Sequence, residues 1–124
     1  MKGIIAGSIL AVVVAFCIIS HLTVLNGIRA MERRIEDIVT AVDNQDWQAA
    51  EEKMSAVTRR WERMRGFYSL FGRHQRYEAV ALGMGSLPSL IDAQESDAYA
   101  TAIRLREELA LWRDVERFGL RNVL

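Results

Sequence analysis

Few residues of this chain could do chemistry. His74 and Glu78 stand one helical turn apart, the spacing at which two side chains on one helix face share a metal ion. A metal centre needs further ligands, and the other histidine, His21, falls inside an apolar run. The pair therefore reads as a histidine at a helix start that hydrogen-bonds Glu78 or a backbone carbonyl, and no metal or cofactor is expected. Gly83-Met84-Gly85-Ser86 has glycines without a preceding strand or the full spacing of a phosphate-binding loop. It reads as a bend or a close approach of two helices. The single cysteine, Cys17, lies in the apolar run, so no disulfide framework or thiolate cluster forms within the chain. No acid–base pair or nucleophile triad occurs, and no catalytic centre is expected.

Charge gives a stronger signal. Lys53 to Arg76 carries seven basic residues and one acid, Glu62. Trp61, Phe67, Tyr68, Phe71 and Tyr77 interleave with them. Arginine beside aromatic rings suits anionic lipid headgroups, acidic polymers or an acidic protein surface. The plainer alternative is that Arg59, Arg60 and Arg63 solvate an outer face while the rings fill a core. The candidate partner contacts are Arg59, Arg63, Arg73, Arg76 and His74. Glu32, Glu36, Asp37, Asp43, Asp46, Glu51 and Glu52 form an acidic complement on the first hairpin, able to pair within the domain or between subunits. Net charge is zero, so no global field draws the protein to nucleic acid.

These groups need a frame, and the N-terminus supplies its setting. Gly3 to Ile28 contains no Lys, Arg, Asp or Glu. As a helix this run is about 39 Å long, whereas about 20 apolar residues cross a bilayer. Ile4, Leu10, Val13, Phe16, Ile19 and Leu22 are the expected lipid contacts. The run is long for a removable signal, and no Ala-x-Ala site follows it. Lys2 flanks one end and Arg29, Arg33 and Arg34 the other, so the positive-inside rule barely sets orientation. His21, near the membrane exit, reads as a proton-relay or partner contact within the bilayer, or as an interfacial residue reaching headgroups or water.

Beyond the anchor, spacing predicts four amphipathic helices. The first carries Ile28, Met31, Ile35, Ile38 and Val42; the second carries Trp47, Ala50, Met54, Val57, Trp61 and Met64. Asp43-Asn44-Gln45-Asp46 is a capped turn between them. The third is expected from about Leu70 to Ala93, with Phe71, His74, Tyr77, Val80, Ala81, Met84, Leu87 and Ile91 inward and a bend or break near Gly85 to Pro88. The fourth starts near Ser96, carries Ala98, Ala102, Leu105, Leu109 and Trp112 inward, and stops near Gly119. Methionines 54, 64 and 84 and tryptophans 47, 61 and 112 read as core filler. Ala41 to Asp46 resembles Leu90 to Glu95, which makes the two hairpins weak repeats.

The expected fold is all-α: one N-terminal transmembrane helix followed by a four-helix antiparallel bundle or two stacked tetratricopeptide-like hairpins. Its parts are an anchor at 1–28, a helical domain at 29–118 (hairpins 29–66 and 70–118) and a tail at 119–124.

Several motifs resemble one family. They are the N-terminal anchor, the turn and helix start Asn44-Gln45-Asp46-Trp47-Gln48-Ala49-Ala50-Glu51, the late Trp61, the histidine in Phe71-Gly72-Arg73-His74-Gln75, and the leucine-rich close Leu120-Arg121-Asn122-Val123-Leu124. Together they resemble DUF4363, a family of small bacterial membrane-anchored proteins of spore-former type. Where that family carries an acid before the histidine, this chain has Arg73. The resemblance implies no catalytic residues. It implies a multi-pass membrane protein as partner, and a single-pass protein of the cell membrane with its helical domain outside the cytoplasm. Self-association stays open. The expected function is a non-enzymatic, membrane-anchored interaction module, an accessory subunit of a larger membrane assembly. The alternative is a membrane-surface tether or sensor whose arginines bind anionic headgroups or polymers.

Overall fold

The computed structural model of the chain describes residues 1–71 and 74–123. Arg73 and the side chain of His74, both expected at the partner site, lie outside the described residues. The elements are α1 (Lys2–Asp43), α2 (Trp47–Phe71), α3 (His74–Asp92) and α4 (Asp97–Val123), with no strand among the described residues.

The anchor and the first amphipathic helix are one 42-residue rod. No proline interrupts it, and packing around Gly27 outweighs the ~1 kcal/mol that glycine costs inside a helix. Along its first part the large apolar side chains Ile4, Ile5, Ile9, Leu10, Val12, Val13, Phe16 and Ile19 are exposed. From Ser20 onward α1 buries one face: Val24, Ile28, Met31, Ile35, Ile38 and Val42. Packing therefore begins well before the uncharged run ends.

Each helix packs on its chain neighbours, and α1 against α4 closes the ring. The closure makes an antiparallel four-helix bundle whose first member is the continuation of the anchor. Stacked hairpins would leave the first and last helices apart. The predicted stripes meet in one core: Ala50, Met54, Val57 and Trp61 from α2, Val80, Met84, Leu87 and Ile91 from α3, and Ala98, Ala102, Leu105, Leu109 and Trp112 from α4. Gly83 permits the close approach of α3 to α4, since a Cβ there would stand 2.9 Å from Leu105 Cδ1.

The repeated sequence at the two hairpin turns is a repeated structure. Gln45 N–H bonds the Val42 carbonyl and Asp46 N–H bonds the Ala41 carbonyl; Gln94 bonds Ile91 and Glu95 bonds Leu90 in the same way. Such paired bonds cap a helix C-terminus around a left-handed residue. That residue is Gln45 (φ 56°) in one turn and Gln94 (φ 54°) in the other. Asp46 then caps α2, its Oδ1 accepting from Ala49 N–H at 3.2 Å. A left-handed non-glycine residue costs about 1 kcal/mol. Gln45→Gly and Gln94→Gly should each raise stability by up to that amount in urea unfolding of the detergent-solubilised protein.

Three boundaries depart from expectation. The α3 helix runs unbroken through Pro88, although proline removes the bond to the Met84 carbonyl, because Leu87 and Ile91 are locked in the core. The α4 helix passes Gly119 and continues to Val123, since a glycine stops a helix when it turns left-handed and no described glycine here has positive φ. The α2 helix takes in Leu70 and Phe71, both expected at the start of α3.

Candidate functional site: an arginine groove between the first two helices

The arginine-rich window folds mainly into α2, and its inward and outward positions separate. Inward, Trp61 stacks on Tyr77 at 5.5 Å, and Tyr68 meets Trp112 edge-on at 5.7 Å. These rings are core, as the plainer sequence alternative held. Outward, Arg59 and Arg63 are exposed and Arg60 is half-buried. Arg34 of α1 joins them across a groove of about 570 Å³, lined also by Ala56, Thr58 and Glu62. Glu62 is the groove's one acid, and it pairs with Arg65 at 3.5 Å. Arg34, Arg59 and Arg63 have no ion-pair partner among the described residues. Thr58 Oγ1 and Arg60 Nε are buried without a hydrogen-bond partner. The groove thus gathers forked cationic donors with little to accept from them, the chemistry that binds carboxylates and phosphates.

Several charges elsewhere are paired within the fold. Arg113 bonds both carboxylate oxygens of Glu32 at 2.6 and 2.8 Å. Arg106 bonds both oxygens of Glu36 at 3.1 Å. Two acids of the first hairpin, Glu32 and Glu36, therefore clamp α1 to α4. Arg76, a candidate partner contact, is engaged with Glu108 at 3.3 Å. Among the expected contacts, Arg59 and Arg63 come together at the groove, and Arg76 faces away to α4. Among the described residues, no three His, Cys, Asp or Glu could hold a metal.

Further down α2, Tyr68 fits closely against α1. Tyr68 is fully buried and its hydroxyl lies against Gly27. Burial pushes the phenol above its ordinary value, and the neighbouring Arg60 cation counters part of the rise. The sign follows from linkage: a folded value above the unfolded one contributes stability below about pH 10 that is lost as pH climbs through the raised value. Tyr68→Phe should flatten the alkaline limb of a stability–pH profile above pH ~10 while leaving the neutral range little changed, as unfolding titrations would record.

Sequence reasoning missed Glu116. It is 2% exposed, accepts from Trp112 Nε1 at 3.3 Å, and shares a 3.0 Å hydrogen bond with His21 Nδ1. Neither expected role for His21 describes this, since its ring ties the anchor to α4. The signal was present, because Glu116 is the next step of the stripe 98, 102, 105, 109, 112. Arg34 was missed because the basic window was read within one stretch of chain.

Comparison with known families fits this layout. A family model described as Domain of unknown function (DUF4363) matches residues 18–123. The chain belongs to this family. The match starts within two residues of Ser20, where bundle packing begins, so the DUF4363 region covers the bundle and most of the exposed apolar segment precedes it. No curated protein and no solved structure matches the chain.

Proposed function

We propose that this DUF4363 protein is a membrane-anchored, non-enzymatic interaction module. It acts as an accessory subunit that holds its bundle beside a bilayer and offers the α1–α2 arginine groove to an acidic surface of a partner protein. The anchor is the exposed apolar part of α1, long and apolar enough to cross a membrane. A multi-pass membrane protein is the partner that this setting suits. A single-pass location in the cell membrane, with the bundle outside the cytoplasm, belongs to the same proposal.

The observation that carries the reading is that Arg34, Arg59 and Arg63 line one groove without an ion-pair partner among the described residues. With about 20 residues in the hydrocarbon, the span runs from Gly3 to Leu22. Arg34 then stands about 18 Å above Leu22 along a continuous helix. Headgroups fill about 5–7 Å of that gap. What remains exceeds the Debye length of about 8 Å at physiological salt. The groove's lower rim is closer to the lipid: Arg63 lies eight residues, about 12 Å, above Phe71, whose ring meets Phe16, so Arg63 stands at headgroup height while Arg34 stands clear of it. A partner's acidic surface can reach all three arginines, whereas headgroups reach the lower rim alone, which favours a protein partner over the tether reading.

The test places a photoreactive amino acid at Glu62, on the groove rim, in the full-length protein in native membranes. The proposal expects one discrete protein adduct that disappears with Arg59→Glu plus Arg63→Glu. Adducts with lipid would support the tether instead. Protein adducts indifferent to charge reversal would remove the groove from the binding surface.

A further inference from the structure

The lower end of the bundle meets α1 far below the end of the uncharged run. The α4 helix descends antiparallel to α1: Arg106 reaches Glu36, Arg113 reaches Glu32, and Glu116 reaches His21. Beyond Glu116 the helix continues to Val123 and carries Phe118 below the level of His21. On the other side α2 descends to Phe71, whose ring packs edge-on against Phe16 at 5.8 Å and lies 4.6 Å from Phe67. Ring contact puts the end of α2 level with residue 16 of the apolar segment.

Length then forces a conclusion. Between Lys2 and Phe16, residues 3–15 rise about 20 Å, whereas the hydrocarbon core is about 30 Å thick. The missing 10 Å or so, at ~1.5 Å per residue, must come from residues 16–22, and the bundle's lower end flanks these. The surface there suits lipid: Leu70 is 78% exposed, Phe118 65% and Leu22 40%. Arg65, Arg117 and Arg121 are exposed beside them, on long apolar stems that can lift their charges to headgroups.

We propose that Leu70, Phe71 and Phe118 form a foot seated in the acyl–headgroup boundary of the bilayer that α1 crosses. The protein then has a second, non-spanning lipid contact that fixes the tilt and rotation of the bundle. The occupant is the anchor's own bilayer, because the foot is continuous with the apolar face of α1 at Phe16. The proposal rests on α1 being a membrane span, and its test separates the two.

Nitroxide labels are placed one at a time on the full chain carrying Cys17→Ser, at Val12→Cys, Leu70→Cys, Phe118→Cys and Asn44→Cys. The protein is reconstituted in vesicles of phosphatidylcholine and phosphatidylglycerol. Oxygen, which concentrates in lipid, and a water-soluble nickel chelate then compete as relaxants. Ser69→Cys, an exposed neighbour of Leu70, is a second reporter should the leucine variant fold poorly. The foot expects positions 70, 69 and 118 to be oxygen-rich and nickel-poor at a depth of about 5–10 Å, position 12 deeper, and position 44 aqueous. With position 12 in lipid but 70, 69 and 118 as nickel-accessible as 44, the foot is wrong and the span stands. With position 12 aqueous, the span itself fails and the foot with it. Low accessibility to both relaxants at the foot marks coverage by a second copy and also overturns the proposal.

Discussion

Trp112→Ala should destabilise the bundle by about 3–5 kcal/mol, the range for removing a large aromatic from a packed core. Trp112 is wholly buried. Its ring meets Tyr68 at 5.7 Å and Tyr77 at 6.5 Å, both edge-on. Truncation leaves these rings facing a cavity. It also withdraws the Nε1 donor from the buried Glu116 carboxylate, leaving His21 as its remaining side-chain partner among the described residues. A domain of this size is typically stable by about 5–15 kcal/mol, so the loss is a large share of the total. Denaturant unfolding in mild detergent, followed by helical signal, measures it. Trp112→Phe should lose less, because it keeps ring contacts and drops only the donor. A loss under about 1 kcal/mol for the alanine variant, the level of an ordinary surface change, would contradict the central place given to this ring.

The second large effect concerns Gly27. A methyl there would overlap the Tyr68 hydroxyl and stand 3.0 Å from its Cζ. Overpacking of this kind costs about 1–3 kcal/mol, against a helix-propensity gain near 1 kcal/mol for Gly→Ala. Gly27→Ala should therefore destabilise on balance. In a Tyr68→Phe background the hydroxyl is gone and a small ring shift relieves the remaining contact, so Gly27→Ala should become neutral or stabilising. The two substitutions lie in contact and should couple strongly. Additive losses in a double-mutant cycle would mean that the α1–α2 contact is looser than described.

Much of the fold could be read from spacing. The stripes through Ile28 and Val42, Ala50 and Trp61, and Ala98 and Trp112 are all buried because steps of three and four residues place side chains on one helix face. The two turns were legible as a repeat, and Asp46 as a cap. The continuity of α1 was not: residue 28 marks a change in composition but not in backbone, and nothing local tells a helix to stop there. Pro88 and Gly119 misled for the opposite reason, as local breakers outweighed by packing on both sides. The candidate site was half legible. Arg59 and Arg63 share an outer face by their spacing along α2. Arg34 reaches the groove only through the α1–α2 contact, and Arg76 leaves it for Glu108 on α4. Glu116 was hidden by its own chemistry, since an acid at a core position is legible only when its partner, 95 residues away in the chain, is known.

Cys17 tests the central claim without any substitution. It is the chain's single cysteine and its side chain is exposed on α1, so bundle packing does not shield it. Full-length protein in sealed native membranes is treated with a charged, water-soluble maleimide, before and after dissolving the membrane in denaturing detergent. An N-terminal helix held in lipid predicts negligible labelling before and complete labelling after. Equal labelling in both states would place this segment in water and contradict the account.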